Sequence, residues 1–99
     1  MNGMTLKKFL QTMIDYDEIE FSYKNICYNF QKENSADAKI KISIWQSGAK
    51  TPCYSVEVEN TPTALKKVAK NLINEKILLD GKSIAEDEKN ITVEFFTWH

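Results

Sequence analysis

Arginine is missing from this chain of 99 residues: every one of its thirteen basic residues is lysine. Arginine supplies the planar fork that grips guanine edges, phosphates and carboxylates with two hydrogen bonds at once, so its absence argues against sequence-specific reading of nucleic acid. A formal charge of −1 at neutral pH also lacks the basic footprint on which non-specific nucleic-acid binding rests. Histidine occurs once, as His99, the last residue printed, and the serines therefore have no internal imidazole to serve as a base. Long apolar runs are missing too. Nothing approaches the ~20 residues that cross a bilayer, and the first residues lack the apolar core of a signal peptide. The expectation is a cytoplasmic protein without a membrane partner.

One tripeptide imitates a motif. Gly81-Lys82-Ser83 has the letters that close a phosphate-binding loop, but such a loop also needs a glycine five residues earlier, where this chain has Lys76. Ile77, Leu78 and Leu79 fill the space where a bare backbone would wrap a phosphate. The same letters make better sense as structure: Asp80-Gly81 is a turn signal, and Ser83 with Glu86 three residues on matches a capping box.

What is present is a regular alternation of periods. Leu6, Phe9, Leu10, Met13 and Ile14 recur at helical spacing after Thr5, a good N-cap, and predict a helix over 5–14. The period then becomes two. Ile19, Phe21 and Tyr23 mark a strand over 18–23, and Ile26, Tyr28 and Phe30 mark another over 26–31. With Lys24-Asn25 as a two-residue turn, facing residue numbers sum to 49 and all apolar residues share a face.

Gln31 to Ala38 reads as a polar loop. Ile40, Ile42 and Ile44 predict a strand over 39–45; Tyr54, Val56 and Val58 predict one over 53–59. A facing sum of 98 also sets Lys41 opposite Glu57 and Lys39 opposite Glu59. Pro62 opens a second helix over 62–75, capped by Thr61 or Asn60, with Ala64, Leu65, Val68, Ala69, Leu72 and Ile73 as its apolar stripe. Ile91, Val93 and Phe95 mark a last strand over 91–96.

These elements predict a single α+β domain in two layers, an antiparallel four-strand meander with both helices on one face and a fifth strand at an edge. Residues 1–4 read as a disordered lead. Cys27 and Cys53 fall on the outer face of strands two and four; with strand three between them their Cα atoms should stand about 10 Å apart or more. A bridge needs ~7 Å or less, so free thiols are expected. No CxxC pair or internal histidine completes a metal site, and no cofactor is implied.

With no catalytic constellation to follow, candidate function rests on surfaces. Trp45 has outward parity on strand three, and Phe96 and Trp98 have the opposite parity to Val93 and Phe95. These three are the candidate partner-binding anchors, because large aromatics carry much of the energy at protein interfaces. The competing surface is basic: Lys7, Lys8, Lys66, Lys67 and Lys70 on the outer sides of the helices would serve a nucleic-acid-binding domain.

A compact α+β chain rich in lysine, asparagine and isoleucine, without enzyme motifs, resembles the small proteins that phages and mobile elements of AT-rich bacteria carry, anti-CRISPR inhibitors among them. The resemblance is one of length and composition. It implies a non-enzymatic inhibitor that blocks a host effector by direct protein contact.

Overall fold

In the computed structural model, which describes residues 1–97, the change of hydrophobic period is the boundary between helix and sheet. Helix α1 spans Leu6–Asp15, and the Thr5 hydroxyl accepts a hydrogen bond from the Lys8 N–H at 3.1 Å, closing its first turn. Strands β1 (Glu18–Tyr23), β2 (Ile26–Ala36), β3 (Lys39–Gln46) and β4 (Tyr54–Glu59) follow, then helix α2 (Pro62–Leu72) and strand β5 (Ile91–Thr97). The Thr61 side chain caps α2 by accepting from the Ala64 N–H. No helix among the described residues is long and apolar enough to cross a membrane.

The strands form one antiparallel sheet in the order β4-β3-β2-β1-β5, a four-strand meander with β5 added beside β1. Tyr23 faces Ile26, Phe21 faces Tyr28 and Ile19 faces Phe30 across a turn in which Lys24 and Asn25 both take positive φ. That left-handed pair matches the twist of the strands it joins. Ile40, Ile42 and Ile44 face Val58, Val56 and Tyr54, and the isoleucines are buried. Phe9 on α1 meets Phe21 edge-on at 5.7 Å, and Phe21 stacks on Tyr28 at 5.3 Å, so an aromatic column joins helix to sheet.

Three boundaries depart from the sequence reading. Strand β2 continues past Gln31 to Ala36, through the stretch read as a loop. Its continuation turns on Lys32, which has core-side parity and is only 7% exposed. The Lys32 ammonium donates to the Ile14 carbonyl at 2.6 Å, where the negative end of the α1 dipole favours a cation. Burial lowers its pKa, and Asp17 and Asp15 nearby oppose that shift. Helix α2 stops at Leu72, because Asn74 and Glu75 bond three residues back and tighten the chain. The lead is tied to the sheet: the Asn2 N–H donates to the Ile91 carbonyl and its own carbonyl accepts from Val93.

Between α2 and β5 the chain must travel from one side of the sheet to the other, and two tyrosines hold it there. Leu78 and Ile84 are buried anchors of this connection. The Tyr28 hydroxyl accepts from the Leu79 N–H at 2.9 Å. The Tyr23 hydroxyl lies 2.5 Å from Asp87 and 2.8 Å from Asp80, and Lys24 donates to the same Asp80 oxygen at 2.8 Å. One phenolic proton serves one carboxylate at a time; Asp80 has the lysine as well. Ser83 and Glu86 form the expected reciprocal capping box.

The ion pair with Lys24, then the Tyr23 hydroxyl, depresses the Asp80 pKa from the usual 3.8 to about 2, and the Tyr23 hydrogen bond lowers that of Asp87. An unfolded chain therefore takes up protons before the folded one does. The contribution of both carboxylates to stability is full above about pH 4 and is lost as the pH falls toward 2. Thermal unfolding followed from pH 6 to pH 2 should show this decline. In Tyr23→Phe the midpoint at pH 6 should be lower and the acid slope shallower; an unchanged slope would mean that the clasp does not form.

Candidate functional site

Both helices pack on one face of the sheet, and among the described residues no helix lies on the opposite face. On that uncovered side the register builds a row. Trp45 on β3 faces Asn29, Asn29 faces Glu20 on β1, and Glu20 faces Phe95 on β5. Three strand spacings separate the two aromatics, about 14 Å. Asn29 donates to Glu18 at 3.1 Å, and its side-chain oxygen is buried without a hydrogen bond among the described residues.

Phe95 occupies this row because of an irregularity in β5. Phe21 pairs with Val93 while Glu20 pairs with Phe95, so Glu94 is an extra residue in the ladder. The bulge reverses the alternation beyond it. The parity assigned from sequence to the end of this strand is thereby corrected: Phe95 turns to the uncovered face, 49% exposed, and Phe96 turns to the helix side opposite Ile19. There Phe96 meets the Tyr16 ring edge-on at 4.8 Å and remains 37% exposed. The structure thus does not bring Trp45 and Phe96 onto one face. Trp98, the third aromatic candidate, lies outside the described residues, as does His99. Trp45 itself is half-buried.

The charges around the row have one dominant sign. Glu18, Glu20, Glu33, Glu57 and Glu59 have outward parity, and Glu94 lies beside them, accepting from the Ser22 hydroxyl at 2.9 Å. Lys39 and Lys41 are the lysines among them, set opposite Glu59 and Glu57. The helix side is the reverse. Lys7 on α1 and Lys66 and Lys70 on α2 line a groove between the helices, whereas Lys8 and Lys67 are exposed and do not line it. The small net charge of the chain conceals an acidic face and a basic one.

Neither cysteine is bridged. Cys27 and Cys53 are both exposed; Cys27 is on β2 and Cys53 immediately precedes β4, with β3 between the two strands. The Cys53 thiol donates to the Ile44 carbonyl at 3.3 Å, and burial raises its pKa above the ordinary 9.0. No group of three or more histidine, cysteine or acidic side chains among the described residues is arranged to hold a metal ion. Comparison with protein families, with curated proteins and with solved structures finds no match to this chain.

Sequence reasoning missed Phe95 because its parity with Val93 is apolar and regular, and the signal of a bulge, one residue of surplus in β5, becomes visible only once β1 is beside it. For the thiols, both cysteines should label in the native protein without reductant. The labelling rate of Cys53, measured in a Cys27→Ser background, should keep climbing as the pH passes 9, since the thiolate is the nucleophile. A plateau well below that pH would contradict the placement of Cys53.

Proposed function

We propose that this chain is a small non-enzymatic protein-binding module whose working surface is the uncovered face of the sheet. The observation that carries the reading is the row Trp45–Asn29–Glu20–Phe95, two aromatics spaced along one line of a face that no helix covers. Aromatic side chains give large contact area for few rotatable bonds and dominate binding energy at protein interfaces. The surrounding glutamates select the partner's chemistry. They would repel a phosphate backbone, so aromatic stacking on nucleic-acid bases does not suit this face, and they favour a protein surface with apolar pockets bordered by basic groups.

An inhibitor of a host effector, of the kind that phages and mobile elements carry, fits a module of this size that acts by contact alone. Such a protein needs one complementary surface and no reactive group. A nucleic-acid-binding role would fall instead on Lys7, Lys8, Lys66, Lys67 and Lys70, on the opposite side of the molecule.

Capture on the immobilised protein, followed by calorimetric titration of the recovered partner, tests the assignment. Trp45→Ala and Phe95→Ala should each weaken binding, by about 2 kcal/mol or more at the hot spot, with the thermal midpoint nearly unchanged for Phe95→Ala. Phe96→Ala should instead lower the thermal midpoint, through loss of its contact with Tyr16, and leave affinity nearly intact. A partner that binds the Trp45→Ala/Phe95→Ala protein as tightly as the wild type would remove the sheet face from consideration.

A further inference from the structure

The groove between α1 and α2 lies on the opposite side of the molecule from the aromatic row. Lys7, Leu10, Gln11 and Ile14 line its α1 wall over about two turns and ~10 Å, and the Gln11 amide is held by the Asp15 carboxylate at 3.0 Å. Lys66, Ala69 and Lys70 line the α2 wall. The cavity measures about 280 Å³. Leu10, Ile14 and Ala69 supply its apolar surface, Gln11 is its one neutral polar lining residue, and lysines stand on both rims.

None of the three lysines is in an ion pair among the described residues, although Lys24 and Lys76 both find carboxylate partners. Three ammonium groups directed around one apolar strip repel each other, and an approaching negative charge relieves that repulsion. We infer that the groove between α1 and α2 is a second docking site, which receives an acidic amphipathic helix from a partner protein. A helix laid between two others buries a narrow apolar stripe, and its flanking carboxylates would meet Lys7 on one rim and Lys66 and Lys70 on the other.

Charge and shape decide against other occupants. A nucleic-acid duplex would satisfy the lysines but would leave Leu10 and Ile14 facing phosphate and water, and it has no apolar stripe to offer them. A second copy of this chain has no acidic helix to offer, since α1 carries one carboxylate, Asp15, and α2 carries none, and its outward glutamates lie on a sheet face too broad to enter a groove between helices. An acidic amphipathic helix matches both the charge of the rims and the apolar strip between them.

The probe is a fluorescein-labelled, helix-forming peptide of about four turns, with leucine along one stripe and glutamate on either side of it, titrated by anisotropy against the whole protein. Saturable binding is expected, together with amide shift changes at Leu10, Ile14 and Ala69. Lys7→Glu/Lys66→Glu/Lys70→Glu should weaken it at least tenfold, as should exchange of the peptide's leucines for serine. All three lysines are exposed, and unchanged thermal unfolding would confirm that the variant is folded.

The Trp45→Ala/Phe95→Ala protein should bind the peptide like the wild type, which separates this site from the sheet face. Three results would overturn the inference: equal affinity for the serine peptide, loss of peptide binding in the Trp45→Ala/Phe95→Ala protein, or tighter binding of a DNA duplex that displaces the peptide. Self-association of the protein that blocks the peptide would overturn it as well, by making a second copy the occupant.

Discussion

The hydroxyl ends of Tyr23 and Tyr28 hold the connection that allows the sheet to be completed. After α2 the chain is on the β4 side, yet its last strand belongs beside β1, at the opposite edge. The intervening residues have little regular structure of their own. They are fixed by Leu78 and Ile84 in the core and by polar contacts with the ends of two core tyrosines, one accepting from Leu79 and one between Asp80 and Asp87. Burial and the two carboxylates raise the Tyr23 phenol well above its ordinary pKa, so it remains a proton donor at any physiological pH. Without that anchoring, β5 would have no defined route to β1, and the aromatic row would lose Phe95.

Both candidate surfaces follow from the same two-layer economy. A chain of this length can cover only one face of a five-strand sheet with two helices of ten and eleven residues. The uncovered face must then be polar enough to meet water, and the strands satisfy this by alternating glutamate, lysine, serine and asparagine outward with aliphatic and aromatic residues inward. Trp45 and Phe95 depart from that alternation in character. On the helix side, the outer stripe is lysine, asparagine and glutamine. The separation of charge between the two sides is a product of which residues face which layer.

Much of this architecture was legible in the sequence because period and register are local properties. The sums that pair Ile19 with Phe30 and Ile40 with Val58 need only alternation and a turn length, and the structure has those pairs. The polar run after Gln31 was not legible as strand: Lys32 sits at an inward position that pattern reserves for apolar residues, and its reason for being there is a carbonyl on α1. The sites were legible in part. Outward parity placed Trp45 correctly, whereas the Glu94 bulge and the meeting of Lys7 with Lys66 and Lys70 depend on elements far apart in the chain.

The bulge at Glu94 gives β5 two phases, with Val93 facing inward before it and Phe95 outward after it. The parity of such a strand depends on whether the extra residue enters the ladder. Were Glu94 to enter the ladder opposite Glu20 instead of standing outside it, the pairing of residues 91–93 with β1 would stay in place but the following segment would fall into the earlier phase. Phe95 would then turn toward the helices and Phe96 toward solvent, exchanging the ring that packs on Tyr16 for the ring that stands in line with Trp45. One residue held out of the ladder thus decides which of two faces the same sequence of side chains presents, whereas deleting Glu94 would leave Phe95 next after Val93 and still opposite Glu20.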